Sequence, residues 1–216
     1  VQERYDMTAA ELRRLGIDPK RVQDVGGPFE AVEPLQSASD PNFKALFTSW
    51  QKLDQLEQGT IAVPSMKPVK NANFTSGYGV RSDPFRGRAA MHGGIDLAGP
   101  VATEIYATAD GIVSRAGWNS GGYGNLVEIN HGKGIQTRYG HMSKVLVQPG
   151  ARVKRGQLVG LMGSTGRSTG SHLHYEVRID GKAVNPIPFM QSSDYLVSVQ
   201  ARAAAAARTA LGGPTK

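Results

Sequence analysis

The sequence predicts a mainly β protein with a helical arm before it and a short helical tail behind it. Three observations carry that reading. Helical periodicity is confined to the first 60 residues, most of the 27 glycines in the 216-residue chain come after them, and from Phe74 onward β-branched and aromatic runs alternate with Gly or Asp-Gly turns.

The arm comes first, over residues 1–60. Thr8-Ala9-Ala10-Glu11 has the pattern of a capping box, opening a short helix that stops near Gly16. A longer helix is expected from Asp40-Pro41, with Asp40 as N-cap and Pro41 in the first helical position. Its apolar residues Phe43, Leu46, Phe47, Trp50, Leu53 and Leu56 recur at spacings of three and four, and Gly59 ends it. That stripe is expected to pack on the main domain or on the helix of a protein partner. Residues 61–73 read as an extended linker, because Pro64 and Pro68 exclude regular helix. The β domain follows over 74–190. Its strands are expected at 104–107, 111–118, 125–130, 135–141, 158–162 and 172–179, with turns at Asp110-Gly111 and Asp180-Gly181. The tail, 191–216, is Ala-rich; it has helical propensity but no convincing core face.

Composition narrows the chemistry. With no cysteine, disulfides and thiolate metal sites are excluded, so any metal must be held by imidazole and carboxylate. The net charge of +7 attracts anionic material, a cell wall or membrane surface as readily as nucleic acid. No helix-turn-helix, zinc-finger or RNA-binding signature points to nucleic acid. No apolar run approaches the roughly 20 residues of a membrane span. Nothing beside Val1 resembles a signal peptide, so targeting is expected to reside outside this sequence.

Of the five histidines, His172 and His174 share one strand-like run, Gly170-Ser171-His172-Leu173-His174-Tyr175-Glu176. Residues two apart on a strand share a face, so both imidazoles project together while Leu173 enters a core. Upstream, His92 and Asp96 stand in Met91-His92-Gly93-Gly94-Ile95-Asp96, where paired glycines favour a turn and a strand start over helix. Together the two motifs supply the two imidazoles and one carboxylate of a catalytic zinc with an open position. His141 ends another strand. No His-Glu-x-x-His glutamate is present to act as base, so His141 and one member of the His-x-His pair are candidates for base and oxyanion stabiliser. Glu176, on the face of His174, is either an orienter or a charge on the sheet face. His131, beside Gly132, reads as a surface residue.

From Thr75 to Pro186 the chain resembles the lysostaphin/LytM-type zinc metallopeptidases. The matching pieces are Thr75-Ser76-Gly77-Tyr78-Gly79, His92-Gly93-Gly94-Ile95-Asp96, Tyr106-Ala107-Thr108-Ala109-Asp110-Gly111 and Gly122-Tyr123-Gly124-Asn125. Tyr139-Gly140-His141-Met142-Ser143, the run from Gly163 to Gly170, and His172-Leu173-His174 complete them in the family's order. The resemblance implies an antiparallel β core with a substrate groove, of duplicated-hybrid-motif type. It implies zinc on His92, Asp96 and His174, with His141 and His172, the catalytic pair, lining the opposite side of the bound water. It further implies a periplasmic, cell-envelope peptidoglycan endopeptidase using a metal-activated water, with D-alanyl–diaminopimelate cross-links as the expected bond. The alternative is a catalytically silent module that binds the wall and activates an amidase, against which all five positions are retained. Residues 151–160 and Asp110-Gly111-Ile112-Val113 also resemble the half-repeats of lipoyl and biotin carriers, yet no lysine stands at the hairpin tip. Arg81, Arg86 and Arg88 are candidates for stem-peptide carboxylates. The linker, with Asn71-Ala72-Asn73, is expected to be placed to fold over the groove.

Overall fold

The computed structural model describes residues 1–23, 41–82 and 87–210. Three helices come first, α1 (Gln2–Arg14), α2 (Pro19–Gln23) and α3 (Pro41–Gly59). Strands β1 (Asn73–Ser76), β2 (Gly79–Ser82), β3 (Ala89–His92) and β4 (Ile95–Ala98) follow. Then come β5 (Glu104–Tyr106), β6 (Gly111–Asn119), β7 (Gly124–Gly132) and β8 (Ile135–Val145). The last strands are β9 (Arg152–Val153), β10 (Leu158–Met162), β11 (His172–Ile179) and β12 (Lys182–Val184), before α4 (Ile187–Met190) and α5 (Asp194–Ala210). The chain divides into two units, residues 62–192 and a helical unit formed by 1–61 with the C-terminal segment from Ser193.

In the helical unit, Leu12, Leu53, Leu56, Leu196 and Val199 are fully or almost fully buried. Thus α5 has the core face that its alanine-rich sequence hid. Arg4 clamps Glu57 through Nη2 at 2.8 and 3.0 Å. One expectation fails at the first helix. Thr8 opens no helix: it lies inside α1, and its hydroxyl donates back to the Arg4 carbonyl at 2.9 Å. A helix already begun at Gln2 leaves it nothing to cap. The stripe on α3 is buried only at its end, since Phe43, Leu46, Phe47 and Trp50 are exposed while Leu53 and Leu56 are not. Asp40, the expected N-cap, lies outside the described residues. Gly59 is required by close approach, because a Cβ there would lie 2.2 Å from the Val22 carbonyl oxygen.

The second unit is built on one antiparallel sheet in the order β1-β4-β11-β8-β7-β6-β9. β12 adds to β11, and β10 bridges β8 and β5, while β2 and β3 form a separate hairpin. The expected strands are present, and the carrier-like half-repeats do meet, Gly111 opposite Val153 and Ile112 opposite Arg152. Residues 62–70, expected as a linker, are stitched to this unit: Ser65 N–H donates to the Thr108 carbonyl at 3.1 Å and Tyr106 N–H to the Pro68 carbonyl at 2.8 Å. Among the described residues none before Thr75 lines the groove, so this segment does not cover it. No described helix is long and apolar enough to cross a membrane.

On β11, alternation sends Leu173, Tyr175 and Val177 into the core and His172, His174 and Glu176 to the other face. The core holds a polar chain as well. The hydroxyls of Tyr139 and Tyr175 lie 3.0 and 2.9 Å from Thr108 Oγ1, and Tyr139 also meets Thr137 at 3.0 Å. Thr137 in turn contacts His131 Nε2 at 2.7 Å. His131 is therefore buried, against expectation. Its Nδ1–H donates to the Asp110 carbonyl at 2.7 Å, and burial, only partly opposed by that bond, lowers its pKa to about 4.

Candidate metal centre

Four sheet elements converge on one open groove of about 520 Å³. β3 ends on His92, a turn through Gly93 and Gly94 follows, and β4 carries Asp96. In the ladder between β4 and β11, Asp96 is directly opposite His174, and His174 is opposite Gly140 of β8. Gly94 is indispensable to this crossing, since a Cβ there would stand 2.3 Å from the Tyr175 carbonyl oxygen.

Three atoms meet. His92 Nε2 lies 3.1 Å from Asp96 Oδ1 and 3.1 Å from His174 Nδ1, and His174 Nδ1 lies 2.9 Å from Asp96 Oδ1. The other ring nitrogens define the tautomers. His92 Nδ1 faces the Gly77 carbonyl at 2.6 Å, and His174 Nε2 faces Glu176 Oε1 at 3.1 Å. Those oxygens only accept, so both nitrogens carry the proton. The three converging atoms are then all lone-pair donors, buried together, an arrangement that repels itself unless a positive charge sits among them. Without a metal, a proton takes that place. Burial disfavours the imidazolium of His174, yet hydrogen bonds to Asp96 and Glu176 prevail and raise its pKa to about 9. Burial likewise opposes the Asp96 carboxylate, but hydrogen bonds with His174 and His92 hold it well below the usual carboxylate range. The donor set fits a divalent cation: two imidazoles and a carboxylate, all three buried, with ligand atoms within 4.8 Å of one another.

Glu176 is 2% exposed and is an orienter rather than a surface charge. Its Oε1 also accepts from the Tyr123 hydroxyl at 2.6 Å, and Oε2 accepts from Arg178 at 2.7 Å. Burial raises its pKa, but the bonds from His174, Tyr123 and Arg178 together bring it down to about 2.

His141 and His172 form a second pair, ring centroids 4.6 Å apart, with His141 5.9 Å from His174. Strict alternation would put His141 on the face of Tyr139, whose ring packs on Tyr175 in the core at 5.3 Å. The strand breaks that alternation. His141 has a left-handed backbone, φ +62°, where the pairing of β7 with β8 shifts register. Such a conformation costs a non-glycine residue about 1–2 kcal/mol, and strain of this kind clusters at functional sites. His141 Nδ1–H donates to the Thr165 carbonyl at 2.8 Å, leaving Nε2 with its lone pair. Burial is the main cause lowering its pKa to about 4, so the ring is neutral at neutral pH. His172 Nδ1 faces the Gly170 carbonyl at 2.8 Å, and its Nε2 stands 3.7 Å from Asp96 Oδ1.

All five expected site residues therefore line one groove. Tyr123 stands in one of the matching pieces, Gly122-Tyr123-Gly124-Asn125, but the sequence assigned it no role. Arg81 reaches Asp96 Oδ2 at 3.2 Å, Arg88 is exposed away from the groove lining, and Arg86 lies outside the described residues.

A family model, peptidase family M23, matches residues 90–186. The chain is 43% identical over 123 residues to the DD-carboxypeptidase/endopeptidase Mpg of Neisseria meningitidis, covering 57% of this chain and 28% of that protein. It is 48% identical over 105 residues to the peptidoglycan DD-endopeptidase ShyA of Vibrio cholerae, 49% of this chain and 24% of that one. The chain thus spans about a quarter of the length of these relatives. Among solved structures it resembles the catalytic domain of lysostaphin from Staphylococcus simulans, with a TM-score of 0.53 and 35% identity over 56% of this chain and 94% of that one. A zinc-containing peptidase from Vibrio cholerae gives a TM-score of 0.55 and 37% identity, covering 61% of this chain and 40% of that one.

Proposed function

This chain belongs to peptidase family M23, and from that premise we propose that it is a zinc-dependent peptidoglycan endopeptidase of the bacterial envelope. One observation carries the reading: three buried lone-pair donors, from His92, Asp96 and His174, converge within 3.1 Å at the floor of an open groove. Zinc is the assigned cation, held by those three residues. When bound it supplies Lewis acidity for water activation and carbonyl polarisation.

The chain's own residues do the rest. His141, neutral and with Nε2 free, takes a proton from the water that adds to the peptide carbonyl, and returns it to the departing amine as the C–N bond breaks. His172, whose Nδ1–H donates to the Gly170 carbonyl, stands beside it and, as the imidazolium, would donate from Nε2 to the charge developing on the carbonyl oxygen. Tyr123 lines the same groove, 5.8 Å from the His174 ring, and helps position the scissile unit. The groove is open and polar, as an extended, hydrated wall peptide requires. That ShyA is a peptidoglycan DD-endopeptidase and Mpg a DD-carboxypeptidase/endopeptidase supports a bond between two D-configured centres as the one cut; a D-alanyl–diaminopimelate cross-link in the periplasm is the form proposed for this chain.

Digestion of purified peptidoglycan, with mass analysis of the products, tests this. Zinc-loaded protein is expected to convert cross-linked dimers of a diaminopimelate-type wall to monomers and to leave pentaglycine bridges intact. His174→Ala and chelator-treated protein are expected to be inert. Cleavage undiminished in His174→Ala, or no cleavage of any wall, overturns the proposal.

A further inference from the structure

Arg81 has no part in the reaction just described, yet it reaches into the site. It lies on β2 two residues after Gly79, whose register partner is His92, and its Nη2 donates to Asp96 Oδ2 at 3.2 Å. The other oxygen, Oδ1, is the one that meets His92 and His174. Glu176 repeats this division, with Oε1 on His174 and Oε2 on Arg178. Each carboxylate touching His174 thus turns one oxygen to imidazole and has the other taken by a guanidinium. Arg81 is not a solvated loop charge: it stands on β2, and its Nε is buried without a hydrogen-bond partner among the described residues. An unpaired buried donor costs about 1–3 kcal/mol, which an arginine free to swing into water avoids.

We infer that Arg81 is a positioning residue that confines Asp96 to one-oxygen ligation of the metal. The inference rests on the zinc reading above. A carboxylate with both oxygens free can occupy two positions around a cation, and the second would be the one water and substrate need. With Oδ2 engaged, only Oδ1 is available. The guanidinium also draws charge from the carboxylate, so the cation is bound less tightly and retains more Lewis acidity.

The test compares wild type with Arg81→Met, using Co²⁺ as a visible-absorption probe, zinc affinity by chelator competition, and steady-state cleavage of a cross-linked muropeptide. Arg81→Met is expected to bind zinc about tenfold more tightly, the size of one screened charge repulsion. Its cobalt absorption weakens as the coordination number rises, and kcat falls about tenfold with KM nearly unchanged. Arg81→Leu also removes both donor and charge, is expected to move the spectrum the same way, and serves if the methionine variant does not fold. A cobalt spectrum identical to wild type in the folded variants overturns the inference. If KM alone rises with that spectrum unchanged, Arg81 binds a substrate carboxylate instead. If wild type takes up neither Co²⁺ nor Zn²⁺, the zinc reading itself has failed, a result separate from these.

Discussion

Replacing Glu176 by glutamine keeps the shape of the side chain and removes its charge, and the contacts leave the amide no good orientation. Oε1 accepts from His174 Nε2 at 3.1 Å and from Tyr123 at 2.6 Å, while Oε2 accepts from Arg178 at 2.7 Å. If the amide oxygen faces His174, its NH₂ confronts the Arg178 guanidinium, donor against donor. If the NH₂ faces His174 instead, Nε2 must accept, the proton moves to Nδ1, and the lone pair aimed at Asp96 and His92 is lost. Outer partners of ligating histidines are typically worth 10–100-fold in metal affinity. A charge-assisted hydrogen bond lost in the interior costs about 1.5–3 kcal/mol. Glu176→Gln is therefore expected to weaken zinc binding 10–100-fold, read by competition with a chromophoric chelator at pH 7.5, and to lower unfolding stability by about 2 kcal/mol in urea. A folded variant with wild-type zinc affinity would refute the assignment of His174 Nδ1 as a ligand atom oriented by Glu176.

Four further outcomes follow from the same geometry. His131 stays neutral when folded, with a pKa of about 4 against 6.5 unfolded, so below pH 6.5 only the unfolded chain takes the proton. The stability present at neutral pH is then lost as pH falls towards 4, by about 3 kcal/mol; urea titrations at pH 7.5 and 4.5 should show it, and His131→Gln should flatten the difference. His141→Ala should cut hydrolysis roughly 10²–10⁴-fold and leave zinc affinity unchanged, whereas a parallel loss of zinc would make His141 a ligand. Gly94→Ala, whose Cβ would lie 2.3 Å from the Tyr175 carbonyl oxygen, should destabilise the fold and weaken zinc binding together, seen by thermal unfolding with and without metal. On α3, Leu56→Ala should cost about 2–5 kcal/mol and the exposed Phe47→Gln within about 0.5 kcal/mol, as measured by urea unfolding.

Local patterns were legible where the signal is local. The six strands expected from runs of β-branched and aromatic residues are present, because each such run carries its own alternation and its own Gly-bounded ends. Of the short strands β1 to β4, only the start of β4 was anticipated, from the turn at Gly93-Gly94. Each is four residues long, too brief for periodicity, and pairing with distant partners makes them strands. Thr8 and His131 misled for a related reason. A capping pattern cannot tell whether a helix has already begun, and a histidine beside a turn gives no sign that Thr137 and the Asp110 carbonyl will satisfy both its nitrogens.

The sequence by itself determined the residue types and order of the site, and the strand spacing that places His172 and His174 on one face. Tertiary structure decided what each imidazole does. Asp96 meets His174 through β-ladder register across 78 residues of chain, and register is a property of the folded pair. His141 reaches the groove only because a left-handed backbone and a shifted register break the alternation of its strand. The tautomers depend on Gly77, Thr165 and Glu176, acceptors that only folding brings within hydrogen-bond reach. Residue identity supplies the chemistry, but the direction of each lone pair depends on the acceptor that holds the opposite nitrogen.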